Sequence, residues 1–140
     1  MNDYQIEISG PESEEIEKYL TESIINYGIE QLNGEKPKKA FCSIKDNTDS
    51  LVAGIMGYAT KNLFLITHIY VDNKYRNKGY GLNLLQAIEK RAKTFGCDLL
   101  RLNTLNKKTA TLYIRAGFEE TFHIENYMNG FDLVYYHKKI

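Results

Sequence analysis

The chain has no tryptophan and only two cysteines among its 140 residues. Cys42 and Cys97 stand far apart without metal-ligand spacing, so they read as buried thiols of a cytosolic protein, not as a bridge, and no metal site is expected. Net charge is missing too, since 18 lysines and arginines balance 18 acidic residues. That balance gives no bulk attraction to nucleic acid or an anionic membrane. No apolar run approaches the roughly 20 residues of a membrane span, and the opening MNDYQIEI lacks the apolar segment of a secretory leader. Internal repeats, low-complexity tracts and linkers are absent as well. These exclusions leave one cytoplasmic domain, residues 1–140, long enough to bury a core without staples. Against the missing tryptophan stand eleven tyrosines, many in the last third, which read as packing residues with wet hydroxyls.

What is present is organised around residues 63–85, LFLITHIYVDNKYRNKGYGLNLL. The apolar, β-rich run Leu63 to Val71 predicts a buried strand, and Asp72-Asn73-Lys74 interrupts it. Leu84, Leu85, Ile88, Ala92 and Phe95 then recur at helical spacing, with Glu89, Lys90, Arg91 and Lys93 mostly on the other side. Between strand and helix, Gly79 and Gly81 remove Cβ atoms where a backbone bends sharply or approaches a ligand. The first amides of the helix have no partner within it and carry the positive end of its dipole. With Lys74, Arg76 and Lys78 around it, this turn fits an anion. The competing reading is an ordinary glycine-containing turn with solvated lysines. No Lys-Ser or Lys-Thr follows the second glycine, so it is not a P-loop, and no third glycine stands at the dinucleotide spacing. What remains is R-x-x-G-x-G, built from Arg76, Gly79 and Gly81.

The flanking segments are legible in outline. Tyr4 to Ile8 alternates and predicts an opening strand, stopped by Ser9-Gly10-Pro11. A helix follows from Ser13, with acids at its positive end and Ile16, Leu20, Ile24, Tyr27 or Gly28, and Leu32 on one face. Asn33-Gly34 ends it, and Gly28 is a place where it would divide. Ala40 to Lys45 and Leu51 to Thr60 predict a hairpin turned by Asp46-Asn47-Thr48-Asp49. Gly54 and Gly57 point to a bulge or a close backbone approach. Beyond the central helix, Gly96 caps and Cys97 to Thr104 predicts a strand parallel to the central one, by a right-handed crossover. Asn106 can cap a short helix from Lys107 to Arg115, broken by Gly117. Glu119 to Tyr127 and Phe131 to His137 form a last hairpin around Asn129-Gly130.

Three features together resemble the GNAT (GCN5-related N-acetyltransferase) superfamily. The first is R-x-x-G-x-G directly after a strand ending in valine and directly before a helix. The second is VAGIMGYA, similar to the glycine-bearing strand that precedes the central strand in that family. The third is NKKTATLYIRAGF, whose Asn106, Tyr113, Gly117 and Phe118 match the family's later segment in the family's order. The overlap runs from about Ala40 to Ile140, and the chain looks like the small stand-alone bacterial type. The resemblance implies an α/β (α+β) fold: a mixed, mostly antiparallel sheet with one parallel strand pair, flanked by helices. It implies an acetyl-CoA-dependent N-acetyltransferase that uses direct attack of a primary amine on the thioester. Ile69, Tyr70 and Val71 would hold the donor through their backbone. Arg76, Asn77, Lys78, Gly79, Tyr80 and Gly81 would bind its pyrophosphate, with Asn106 and Tyr113 completing the cofactor set. Tyr113 would be the general acid toward the sulfur of CoA, and Gly117 and Phe118 would serve the turn and the packing.

Acetyl transfer also needs a neutral amine. A free alkyl amine with pKa near 10.4 is neutral in only about 1 molecule in 2,500 at pH 7, a deficit of ~4–5 kcal/mol. Strict alternation from Val71 sets Ile69, Thr67 and Leu65 on one strand face, which the resemblance turns toward substrate, and Tyr70, His68 and Phe64 on the other. The first set holds no base. His68, Glu125 and a water chain stay open for that role, with a packed or supporting histidine the plainer reading of His68. Tyr127, Tyr135 and Tyr136 read as sheet packing before they read as an acceptor pocket. The expected partners are acetyl-CoA and an amine acceptor, a small molecule first and a protein N-terminus or lysine second, with a homodimer left open. A non-catalytic acyl-CoA-binding module is the rival of another class.

Overall fold

The computed structural model describes residues 5–105 and 107–140, residue 107 by its backbone alone. The chain divides into two compact units, Met1–Lys36 and Pro37–Ile140. The first unit holds helix α1, Glu14–Gln31, with Glu14, Glu15 and Glu17 in its first turn, where the dipole favours acids. Asn33 and Gly34 leave it through left-handed backbone, φ 56° and 82°, and the Gly34 amide donates to the Ile29 carbonyl at 2.8 Å. Gly28 lies inside one continuous helix, so the expected division is absent. The expected opening strand is corrected as well. Residues 5–8 are not in a strand, and no described strand pair includes them. Alternation marks a face, but a strand also needs a neighbour for its amides and carbonyls.

The second unit is a six-stranded sheet. Its strands are β1 (Lys38–Lys45), β2 (Leu51–Thr60), β3 (Leu63–Val71), β4 (Leu99–Thr104), β5 (Glu119–Met128) and β6 (Phe131–Lys139). Helix α2 (Tyr80–Thr94) joins β3 to β4, and α3 (Lys107–Arg115) joins β4 to β5. The strands lie in the order β1-β2-β3-β4-β6-β5. Only β3 and β4 run parallel; the other neighbours are antiparallel. A strand–helix–strand crossover forces that one parallel pair, and short turns force the antiparallel β1–β2, β2–β3 and β5–β6 pairs. Asp46 builds the β1–β2 turn, since its Oδ1 accepts from the Thr48 amide at 2.8 Å, the Thr48 hydroxyl at 2.6 Å and the Ser50 amide at 3.1 Å.

The core lies between the sheet and α2. Leu84, Leu85, Ile88 and Ala92 of α2 are buried against Ala40, Ile55, Phe64, Ile66, Leu100 and Leu102, each large side chain contributing roughly 1.5–3 kcal/mol by leaving water. Lys138 of β6 donates to Glu89 of α2 at 2.6 Å, with Lys93 3.3 Å from the other carboxylate oxygen. Burial pushes the Glu89 carboxyl up, but the hydrogen bonds from Lys138 and Lys93 outweigh it and hold it below its usual range. Both cysteines are free thiols, Cys97 buried and Cys42 half-buried.

One irregularity sets the site. Met56 pairs with His68 and Gly57 with Ile66, so β3 carries one extra residue, Thr67, in a bulge. A Cβ on Gly57 would stand 2.2 Å from the Leu65 carbonyl oxygen and 2.6 Å from the Phe64 ring, which is why glycine occupies that point. The bulge also breaks the strict alternation expected along β3. Phe64 and Ile66 are buried, and beyond the bulge it is Ile69 and Val71 that pack against the same core. His68 and Tyr70 are exposed. The faces assigned by counting back from Val71 are therefore corrected: the Ile69 side chain shares a face with Phe64, not with Leu65.

Candidate active site

Strands β3 and β4 pair only at Leu63–Leu99, Phe64–Leu100 and Leu65–Arg101, although both continue beyond. The Asp72 amide donates to the Val52 carbonyl at 2.9 Å. By antiparallel alternation Tyr70 also turns its backbone to β2, while Ile69 and Val71 turn theirs to the side that β4 has left. Two amides there have no strand to meet. The Val71 carbonyl on that side accepts from Arg76 Nε at 2.9 Å, and the guanidinium lies 5.6 Å over the Tyr70 ring. Arg76 is thus held at the end of the open strand by backbone and aromatic contacts. No described carboxylate pairs with Lys74, Arg76 or Lys78.

The turn from β3 into α2 keeps its amides unclaimed. A single 3-10 turn, Asn73–Tyr75, follows Asp72, then Asn77 and Gly79 take left-handed backbone at φ 59° and 85°. The amide of Asn83 is the first in α2 to find a carbonyl, that of Gly79, at 3.0 Å. Among the described residues, no acceptor takes the amides of residues 77–82. No acid stands in the first turn of α2. The two glycines have separate causes: Gly79 supplies the left-handed turn, whereas a Cβ on Gly81 would meet the Leu112 side chain at 2.9 Å. Gly81 is small so that α2 and α3 can approach.

Tyr113 is 3 % exposed, its ring centroid 5.6 Å from that of Tyr136 and 6.0 Å from that of Phe118. Burial pushes its hydroxyl above the ordinary phenol range, partly offset by a hydrogen bond from Thr109. Thr109 also meets Thr104 at 3.1 Å, oxygen to oxygen. A chain of hydroxyls therefore runs from the end of β4, where the sheet has opened, to the phenol. Sequence reasoning missed it, although two threonines five residues apart around a helix start were the available signal. Asn106 lies outside the described residues. Gly117 turns through φ 92° and Phe118 is buried.

Of the base candidates, Glu125 lies on β5, the exposed edge strand, in the irregular stretch between Ile124 and Met128. His68 lies on β3 beside Ile69. Its Nδ1 stands 2.9 Å from Thr67 Oγ1, and that hydroxyl donates to the Met56 carbonyl at 3.3 Å. With the hydroxyl proton so used, Oγ1 is the acceptor and Nδ1 the donor, which leaves the lone pair on Nε2. Tyr135 packs on Phe122 at 5.9 Å and Tyr136 on Tyr113, while Tyr127 is half exposed. The described residues contain no three-residue metal-ligating cluster, and no described helix is long and apolar enough to cross a membrane.

Known proteins share this fold. Residues 4–118 match the Acetyltransferase (GNAT) family. Acetyltransferase Atu2258 of Agrobacterium fabrum is 22% identical over 104 residues, 74% of this chain and 76% of that one. A crystal structure of an Agrobacterium tumefaciens protein assigned as an acetyltransferase superposes with a TM-score of 0.88 at 20% identity, over 98% of this chain and 100% of the other. A Bacillus anthracis str. Ames protein assigned as a streptothricin acetyltransferase, in complex with acetyl coenzyme A, gives 0.67 at 20% identity over 76% and 65%. By its family match and its fold, this chain belongs to the GNAT family of acetyltransferases.

Proposed function

We propose that residues 1–140 act as one N-acetyltransferase domain that moves the acetyl group of acetyl-CoA to a primary amine of a small molecule in the cytoplasm. The observation that carries the reading is the opening beside β3, with the Ile69 and Val71 amides turned into it and the unclaimed amides of residues 77–82 at its end. The first pair suits the amides and thioester of a pantetheine arm. The second set, with Lys74, Arg76 and Lys78, suits a diphosphate. The acetyl coenzyme A complex of the Bacillus anthracis neighbour supports this choice of donor.

Bound there, the thioester supplies an activated acetyl group. An amide of Ile69 or Val71 donates to the carbonyl oxygen as charge develops on it. His68 Nε2 takes a proton from the incoming ammonium, recovering part of the ~4–5 kcal/mol that deprotonation costs at neutral pH. Tyr113 gives its hydroxyl proton to the departing sulfur and regains one from the second amine proton through solvent. Its buried setting keeps the phenol protonated until then. A small acceptor is favoured by a chain whose acidic and basic residues cancel; a basic protein tail calls for an acidic groove.

Acetyl-CoA at 100 times its Kd should raise the melting temperature by roughly 8 °C. Release of free thiol over a panel of ethanolamine, glucosamine, spermidine and an alanine-initiated peptide then separates the alternatives. Turnover of the peptide alone would make the enzyme a protein acetyltransferase. Binding without turnover of any acceptor would make the chain a donor-binding module.

A further inference from the structure

The anion-binding turn is not free-standing, because an aromatic strut ties it to the β1–β2 turn. Tyr75 closes the 3-10 turn ahead of Arg76, and its hydroxyl donates to Asp46 Oδ2 at 3.3 Å. The two residues are 29 positions apart. The Tyr75 ring stacks on that of Tyr80 at 6.1 Å and 27°, and Tyr80 is the first residue of α2. Lys78 lies 5.6 Å over the Tyr75 ring from the ammonium. One side chain therefore touches two residues of the segment whose amides are unclaimed, Lys78 and Tyr80. Asp46 is itself fixed. Its other oxygen receives the Thr48 hydroxyl and the amides of Thr48 and Ser50, and these bonds, the Thr48 hydroxyl first, hold its carboxyl below the usual range.

We propose that Tyr75 is a positioning residue for the diphosphate cradle, braced by Asp46 from the β1–β2 turn. The inference rests on the proposed acetyl-CoA reading. Neither residue reaches the ligand in this account. Asp46 fixes the phenol, the phenol fixes the Tyr80 ring and Lys78, and these fix the conformation in which the amides of residues 77–82 converge. Preorganisation of this kind raises affinity by removing the ordering that binding would otherwise require. A segment with left-handed residues at Asn77 and Gly79 needs such a brace, since each of those conformations is one of several open to an unbraced chain.

The test is a double-mutant cycle on coenzyme A binding by calorimetry, with the melting temperature of each unliganded protein recorded alongside. Tyr75→Phe keeps the ring stack and removes only the hydroxyl; Asp46→Ala removes the oxygen that accepts it, together with the turn's own bonds. Each single variant should raise the Kd for coenzyme A about 5-fold, and the double variant should also stand near 5-fold, because both break the same link. The unliganded melting temperature of Tyr75→Phe should fall within about 4 °C of the parent. Single variants within 2-fold of the parent overturn the proposal. So does a double variant near 25-fold, since independent losses multiply. A parent protein that gives no heat with coenzyme A overturns the donor reading itself, and the strut's role with it.

Discussion

The two halves of β3 differ in every respect that matters to function. From Leu63 to Leu65 the strand has neighbours on both sides, and Phe64 is fully buried. Among the described residues, Ile69 to Val71 have β2 alone as a strand neighbour, and Tyr70 is 60 % exposed. A single inserted residue, Thr67, separates them. The paired half lends rigidity to a half whose Ile69 and Val71 amides turn away from β2. A uniformly paired strand would be more stable and would offer a ligand nothing.

That contrast can be broken from either end. The largest effect belongs to the paired half: Phe64→Ala should cost about 3–5 kcal/mol of stability in a denaturant melt, because the ring fills the space over Gly57. In the fraction that stays folded, acetyl-CoA affinity should change less than about 2-fold. Next comes His68→Gln in the open half, where removal of a general base should lower kcat about 100-fold with stability nearly unchanged, since the side chain is exposed. The shape of its pH profile should also change, since the proton-accepting group is gone. An unaltered profile would return His68 to a supporting role. Smallest is Tyr113→Phe, which keeps the buried ring against Phe118 and Tyr136. It should reduce kcat about 10-fold and leave the melting temperature within about 4 °C. A much larger loss of stability with no loss of turnover would mark the hydroxyl as structural.

Much of this was legible in residues, and what was hidden is tertiary. The bounds of β2, β3 and α3 follow from apolar runs and from Asn and Gly between them, because those signals are local. R-x-x-G-x-G before a helix pointed to a turn with unclaimed amides for the same reason. The bulge was half visible: Gly57 announced a close approach, but nothing in LFLITHIYV says which residue of the partner strand is extra. Hence Phe64 was set on the wrong face relative to Ile69 and Val71, while His68 stays opposite them beside Tyr70. The opening of the sheet was hidden more deeply, since Ile69 and Val71 still face the core after β4 departs, so the apolar run gives no sign of it. The Tyr75–Asp46 strut joins residues 29 positions apart by folding alone, whereas the Thr104–Thr109–Tyr113 chain is local and was overlooked. The N-terminal alternation failed because a period of two marks a face but supplies no hydrogen-bonding neighbour.

The central claim is that amides left over by the fold hold the acetyl donor. Backbone amide NMR during a titration with coenzyme A tests it directly. The account predicts saturable shifts concentrated at Ile69, Val71 and residues 77–82, with the paired half of β3 and the β5–β6 hairpin nearly still. Shifts that bypass those residues, or none at saturating coenzyme A, would contradict it.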